Sequence, residues 1–321
     1  MSESTILLGD IGGTHARFAL ACDNRVGYEL ERVFRCDNFA SAESAIQQYL
    51  EGVSAPSVRS ACLAVAGPVA TGKASLTNNH WFFDEEGVRA ALGCEKVKLL
   101  NDFEAAALGL AYLGPADLTP VGEAKLPDLR QAEYVVAVVG PGTGFGAATL
   151  IKRDGRLTSL SGEAGHVGFA PESPLQVELL ASLADQFGRV SVERLVSGSG
   201  LVNIFNFLAT RSKAKTGHFD AAAIFLKAKR DQTAQKAVAL FFELLGQAAG
   251  NFVLATGSFD GLFIAGGIVQ RYPELLHNST FRSGFEKKGR HSELMRAIPT
   301  VLVRHPLPGL LGAAAAAKNW H

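Results

Sequence analysis

The sequence predicts an α/β fold in two domains, and three observations carry that reading. One loop pattern is written twice: Ile6 to Leu20 passes through Asp10-Ile11-Gly12-Gly13-Thr14, and Val135 to Leu150 passes through Gly140-Pro141-Gly142-Thr143-Gly144-Phe145-Gly146. Each copy is an apolar strand, a Gly-rich turn with Thr, and a second apolar strand. Short apolar runs alternate with helical patterns in both halves of the chain. At 321 residues the chain also exceeds the size at which a single core stops growing.

The elements follow in order. Ile6 to Leu8, Arg17 to Ala21 and Arg32 to Arg35 read as a meander of strands. A helix is expected over Ala42 to Leu50, with Ser41 as cap and Ser44 as a weak box partner. Ser60 to Ala66 is nearly all apolar and ends at Gly67-Pro68, which predicts a buried central strand. Asp84 is placed to cap a helix through Leu92 that stops at Gly93. Val97 to Leu100 is a further buried strand ending in Asn101-Asp102, with a helix from about Glu104.

The second half repeats the plan. Arg153-Asp154-Gly155-Arg156 is a hairpin turn signal. Helical regions are expected over Ser191 to Thr210 and, with interruptions, Asp220 to Ala249. Phe259 to Gly267 reads as strand then Gly turn, and Pro308-Gly309-Leu310-Leu311-Gly312 opens an Ala-rich helix. No low-complexity linker is present, so the domain join is expected near Gly109 to Gly114. The final helix is expected to return to the first domain.

Composition narrows the function classes. Apolar residues make up 47% and charged residues 19%, which fits a folded, core-rich chain. The 31 basic and 31 acidic residues balance, and no basic stripe points to nucleic acid. Leu245 to Val269 is apolar but broken by Gln247, Asn251 and Asp260, so it reads as buried helix and strand rather than a membrane span. The N-terminus lacks the positive region of a signal peptide. Cys22, Cys36, Cys62 and Cys94 form no Cys-x-x-Cys pair, which suits reduced cytoplasmic thiols.

Each motif has a functional and a plain reading. The two Gly-Thr turns can bring backbone N–H groups to an anion, with Asp10 near a metal, or they are ordinary hairpins. Asn101-Asp102 ends a strand where open α/β sheets bind ligands, and a carboxylate there can take a proton; the plain reading is a helix cap. Gly162-Glu163-Ala164-Gly165-His166 offers donors and acceptors for a polyol, or is a polar turn. One Glu and one His are too few for a zinc site. Glu193 is either a ligand or a first-turn Glu favoured by the helix dipole, with Ser191 as cap. Gly266-Gly267 and Gly309 to Gly312 allow close approach of a nucleotide, or of one element to another.

Taken together, Asp10-x-Gly-Gly-Thr, Leu100-Asn-Asp-Phe-Glu-Ala, Gly140-Pro-Gly-Thr-Gly-Phe-Gly, Gly162-Glu-Ala-Gly-His, Ser191-Val-Glu-Arg-Leu-Val-Ser-Gly, Ile264-Ala-Gly-Gly-Ile-Val and Pro308-Gly-Leu-Leu-Gly-Ala resemble the bacterial glucokinases, over about residues 6 to 313. That family is similar to the hexokinase, actin and heat-shock ATPase superfamily. The resemblance implies two ribonuclease-H-like domains, a small one of 1–110 plus 303–321 and a large one of 111–302, with a ligand cleft between them. It implies phosphorylation of D-glucose at the 6-hydroxyl by ATP with Mg²⁺. Asp102 would be the base, and Asn101, Glu163, His166 and Glu193 would bind sugar hydroxyls. Gly12, Gly13, Thr14, Gly142 and Thr143 would hold phosphates. Gly266, Gly267, Gly309 and Gly312 would lie near the nucleotide, and Asp10 near Mg²⁺. A cytoplasmic homodimer is implied.

A related sugar-kinase group carries a Cys-x-Cys-Gly-x-x-Gly-Cys zinc motif after its Glu-x-Gly-His. Here Val167 to Glu178 holds no Cys, so no zinc is expected. Ile6 already begins a strand, so no helix-turn-helix extension and no repressor is expected. The alternatives are a kinase for another hexose, a non-catalytic sugar sensor, and a chaperone-like or filament-forming ATPase.

Overall fold

The computed structural model describes residues 5–22, 25–54, 57–76, 79–123, 125–213 and 217–318. The chain divides into two units: Met1–Pro115 with Ala148–Ser161 and His305–His321, and Ala116–Ala147 with Gly162–Arg304. The join thus falls just after the expected Gly109 to Gly114. Residues 148–161, which the sequence division put in the large domain, belong to the first unit. The outermost ends of the expected small domain, 1–4 and 319–321, lie outside the described residues.

In the first unit, β1 (Ile6–Ile11), β2 (His15–Ala21) and β3 (Tyr28–Arg35) form an antiparallel meander. After α1 (Ala42–Gly52), strand β4 (Ser60–Val65) pairs parallel to β1 with all six residues buried, as a continuous apolar run requires. Three short strands, β5 (Val69–Ala70), β6 (Lys73–Ser75) and β7 (Phe82–Asp84), make a side sheet. Helix α2 (Glu85–Leu92), strand β8 (Lys96–Asn101) and helix α3 (Asp102–Leu110) follow, giving the sheet order β3-β2-β1-β4-β8. Ser41 and Ser44 form a reciprocal capping box on α1, and Gly93 ends α2 in the left-handed region at φ 61°. Asp84 holds the cap position of α2, but its side chain makes no capping bond.

The second sheet repeats this order. It contains β9 (Leu118–Pro120), β10 (Tyr134–Pro141), β11 (Phe145–Arg153), β12 (Arg156–Gly162), β13 (Gly261–Ile264) and β14 (Thr300–Val303), arranged β12-β11-β10-β13-β14-β9. Removing the added edge strand β9 leaves the first sheet's pattern, third-second-first-fourth-fifth. The duplication seen in the Gly-Thr turns is therefore a duplication of whole sheets. Asp154 at φ 49° and Gly155 at φ 73° make the β11–β12 turn with both central residues left-handed.

The helices of the second unit are α4 (Pro174–Phe187), α5 (Gly198–Arg211), α6 (Ala221–Lys227), α7 (Gln232–Thr256), α8 (Gly267–Arg271), α9 (Pro273–His277), α10 (Phe281–Glu286) and α11 (Ser292–Ala297). Helix α7 is long and apolar enough to cross a membrane, but 67% of its most apolar window is buried inside the protein. Phe241, Phe242, Leu245 and Val253 on it are fully buried, so it is the core helix of its unit. The chain then returns to the first unit with α12 (Pro308–Lys318). Helix α12 lies against α3 through glycines: a Cβ at Gly109 would meet the Pro308 carbonyl at 2.6 Å, and one at Gly312 the Ala105 carbonyl at 1.6 Å.

One helix expectation needs correction. The expected helix over Ser191 to Thr210 begins only at Gly198. Val192–Arg194 is a separate 3₁₀ turn, and the Ser191 side chain caps nothing. The true cap is Ser197, whose Oγ accepts from the Gly200 N–H at 3.0 Å.

Candidate functional site

In the first unit, parallel pairing sets the ends of three strands level. Ile11 pairs with Val65, and Val65 pairs with Asn101. The Gly12 to Thr14 turn, the Gly67-Pro68 loop and Asn101-Asp102 therefore leave the same carboxyl edge, where sheets of this kind bind ligands.

The amide of Asn101 decides what Asp102 does there. Asn101 Oδ1 accepts from the Phe103 and Glu104 N–H groups at 2.9 and 3.2 Å, and its Nδ2 donates to the Gly67 carbonyl at 3.0 Å. Asn101 is the cap of α3, so the helix starts at Asp102 rather than Glu104. The plain reading of Asp102 as the cap is replaced. Its carboxylate sits on the first turn, where the helix dipole favours negative charge, and accepts from the Phe103 N–H at 2.9 Å.

Asp10, the next-to-last residue of β1, lies directly opposite Arg17, at 3.9 Å between carboxylate and guanidinium. Burial pushes its carboxyl above the usual range, and Arg17 pulls it partway back. A Cβ at Gly309 would lie 3.1 Å from the Asp10 carboxyl carbon, a tight contact that glycine avoids where α12 starts beside this acid. Gly312, by contrast, is accounted for by packing on α3.

The Gly12 to Thr14 turn is asymmetric. Its carbonyls are engaged: Gly12 by the Cys36 thiol at 3.5 Å, Gly13 by the Asn79 Nδ2 at 3.1 Å, and Thr14 by the Cys36 N–H at 3.0 Å. Among the described residues the Gly13 and Thr14 N–H groups donate to no protein acceptor, and the exposed Thr14 hydroxyl has no protein partner. This is an open cradle for an anion.

The second unit has the same arrangement. Val139 pairs with Ile264, so the Gly142 to Gly144 turn and Gly266-Gly267 leave one sheet edge. The Ala265 N–H donates to the Val139 carbonyl at 2.8 Å, as the Ala66 N–H does to the Ile11 carbonyl at 2.9 Å in the first unit. Gly198 N–H holds the Gly142 carbonyl at 2.9 Å, while the Thr143 and Gly144 N–H groups have no protein acceptor among the described residues. Gly266 has φ 97°, and a Cβ there would meet the Pro141 carbonyl at 2.6 Å. Gly267 faces open space.

Glu163 precedes a 3₁₀ turn that His166 ends, with the imidazole Nε2 3.8 Å from the carboxylate and both side chains more than half exposed. Between them Gly165 is buried, and a Cβ there would lie 2.5 Å from the Phe145 carbonyl. The Glu193 carboxylate reaches the same place: Oε2 accepts from the Phe145 N–H at 2.9 Å, and its second oxygen has no protein donor among the described residues. The structure thus brings Glu163, His166, Glu193 and the Gly142 to Gly146 turn together through Phe145. Sequence reasoning missed Asn79 and Phe145 as organisers, and met Cys36 only as a scattered thiol.

A family model described as Glucokinase matches residues 7–320. A glucokinase of Xylella fastidiosa (strain 9a5c) is 39% identical, covering 99% of this chain and 96% of that protein. The crystal structure of a glucokinase from an Antarctic psychrotroph is similar with a TM-score of 0.86 and 35% identity, over 98% of this chain and 99% of that one. A glucokinase from Balamuthia mandrillaris, solved in complex with glucose, has a TM-score of 0.78 at 22% identity, over 98% and 94%, and supports the fold alone. The fold is the two-domain, actin-like α/β class.

Proposed function

The chain belongs to the glucokinase family, and we propose that it transfers the γ-phosphoryl group of ATP to the 6-hydroxyl of D-glucose, with Asp102 as the base. The observation that carries Asp102's role is the division of labour at the start of α3. Asn101 takes the cap position, so Asp102 stands one residue inside the helix, with its carboxylate on the first turn at the carboxyl edge of the sheet.

In this reading Asp102 takes the hydroxyl proton as the sugar oxygen attacks phosphorus. Glu163, His166, Glu193 and the remaining amide hydrogen of Asn101 orient the sugar hydroxyls. The Gly12 to Thr14 and Gly142 to Thr143 turns hold phosphate oxygens, and Gly266, Gly267 and Gly309 let the nucleotide approach backbone. Phosphoryl transfer asks the protein mainly for such positioning and charge neutralisation. Among the described residues no cluster of three metal-ligating side chains exists. A single enclosed carboxylate, Asp10, beside a phosphate turn suits Mg²⁺, which keeps waters and takes most other ligands from substrate. When bound, that ion supplies charge neutralisation on the phosphates.

We also place the enzyme in the cytoplasm as a homodimer. The unpaired Cys22, Cys36, Cys62 and Cys94 agree with a reducing compartment. Light scattering coupled to gel filtration tests the dimer.

The test of the reaction is an ADP-release assay across a hexose panel with wild type, Asp102→Ala and Asp102→Asn. Both variants are expected to lose about 10²- to 10⁴-fold in kcat. Near-wild-type turnover in Asp102→Asn, which keeps shape and removes basicity, would refute Asp102 as the base. Turnover with another hexose in preference to glucose would refute the substrate.

A further inference from the structure

We propose that Asn79 is a positioning residue for the phosphate turn: it fixes the Gly13–Thr14 peptide so that the Thr14 N–H faces the nucleotide. The proposal rests on the reading of Gly12 to Thr14 as a phosphate turn.

In a trans peptide the carbonyl and the following N–H point in opposite directions, and no cis peptide is present among the described residues. Asn79 Nδ2 holds the Gly13 carbonyl at 3.1 Å, so the Thr14 N–H points away from Asn79. The Cys36 thiol holds the Gly12 carbonyl at 3.5 Å, which does the same for the Gly13 N–H. These are the two amides of the turn that have no protein acceptor among the described residues.

The strut is anchored at its other end. Asn79 Oδ1 accepts from the Trp81 N–H at 3.0 Å. Trp81 is 2% exposed, and its indole N–H donates to the Phe39 carbonyl at 3.4 Å. The Asn79 amide thus runs from a core tryptophan to the turn. Glycines at 12 and 13 leave that turn free to rotate its peptides. A donor from outside is what selects one orientation, and preorganised donors cost no reorganisation when charge develops.

The experiment uses full-length Asn79→Asp, Asn79→Leu and Thr14→Val. Asp keeps the acceptor for Trp81 and removes the donor to Gly13. Leu removes both without adding charge. ATP and glucose are titrated separately in the ADP-release assay, and Tm is recorded. Asn79→Asp and Asn79→Leu are both expected to lose about tenfold or more in kcat/KM for ATP, with KM for glucose moving less than about twofold. Tm is expected to fall in Asn79→Leu and to recover in Asn79→Asp. ATP kinetics that are normal in Asn79→Asp, or losses for ATP and glucose that track Tm, overturn the strut. If Thr14→Val is impaired while the Asn79 variants are not, the strut alone fails. If Thr14→Val and both Asn79 variants all have wild-type ATP kinetics, the strut fails and the hydroxyl is dispensable, while the backbone N–H groups of the turn are untouched by these variants.

Discussion

The Glu193 carboxylate accepts a hydrogen bond from the Phe145 amide at 2.9 Å, tying a residue assigned to the sugar to the turn assigned to phosphate. One oxygen is spent on the turn and the other is left for a ligand. Glu193→Gln keeps an acceptor for Phe145, so it should weaken glucose use while leaving KM for ATP near wild type. Glu193→Ala removes both links and should impair both substrates. Loss of a hydrogen bond to a charged group is worth about 1.5–3 kcal/mol, or roughly 10- to 150-fold in kcat/KM. Equal effects of the two variants on ATP would show that the tie does not organise the turn.

Gly165 should be intolerant for a related reason. Its Cβ would press on the Phe145 carbonyl at 2.5 Å and stand 3.4 Å from the Glu193 carboxylate. The first neighbour is backbone, which cannot yield as a side-chain tip can. Gly165→Ala must displace the turn that carries Glu163 and His166, and misplacement of about 1 Å can cost 10²-fold. Glucose saturation curves would show it; an unchanged KM and kcat would count against this turn as a sugar element.

If Asp10 supports Mg²⁺ as proposed, it exchanges stability for function. Its carboxyl is raised by burial more than Arg17 lowers it. A group raised in the folded state favours folding fully below its unfolded pKa, and that contribution is lost as pH rises through the folded pKa. At neutral pH the buried Asp10 is therefore a burden on folding. Asp10→Asn is expected to raise Tm at neutral pH, with the advantage shrinking as pH falls towards about 4, the unfolded aspartate value. The same variant should lose activity by about 10- to 100-fold, as metal-supporting groups do. Thermal melts at several pH values check the first point, and Mg²⁺ titration of the rate checks the second.

The parts of the fold that were legible came from patterns local in sequence. The run Ser60 to Ala66 could only be a buried strand, and Ser41 beside Ser44 announced a cap. The repeated Gly-Thr turn pointed to two copies of one sheet. What escaped depends on partners far apart in the chain. Ser191-Val-Glu scans as a helix start, yet Glu193 is drawn off to Phe145, 48 residues away, and the helix waits for Ser197. Asn79 is a plain loop residue until Gly13, 66 residues earlier, comes within 3.1 Å. At Asn101-Asp102 the residues were legible but their roles were not. Either could cap α3, and only the bonds that Asn101 Oδ1 accepts from the Phe103 and Glu104 N–H groups show which does.

Gly312 gives the last prediction, because two effects oppose each other there. In an exposed helix, Gly→Ala stabilises by about 1 kcal/mol through propensity. Gly312 is buried in α12, and its Cβ would stand 1.6 Å from the Ala105 carbonyl, with the Ala105 Cα at 3.0 Å. Backbone cannot yield as a side-chain tip can, so α12 must separate from α3. Overpacking of this kind costs about 1–3 kcal/mol or more and outweighs the propensity gain. Gly312→Ala should therefore lower Tm by several degrees, roughly 2–4 °C per kcal/mol for a unit of this size. A rise in Tm would mean that helix propensity outweighs the clash. A nucleotide role for Gly312 beyond packing would show as a KM change for ATP larger than the change for glucose. The packing account expects the enzyme that remains folded to keep both constants near wild type.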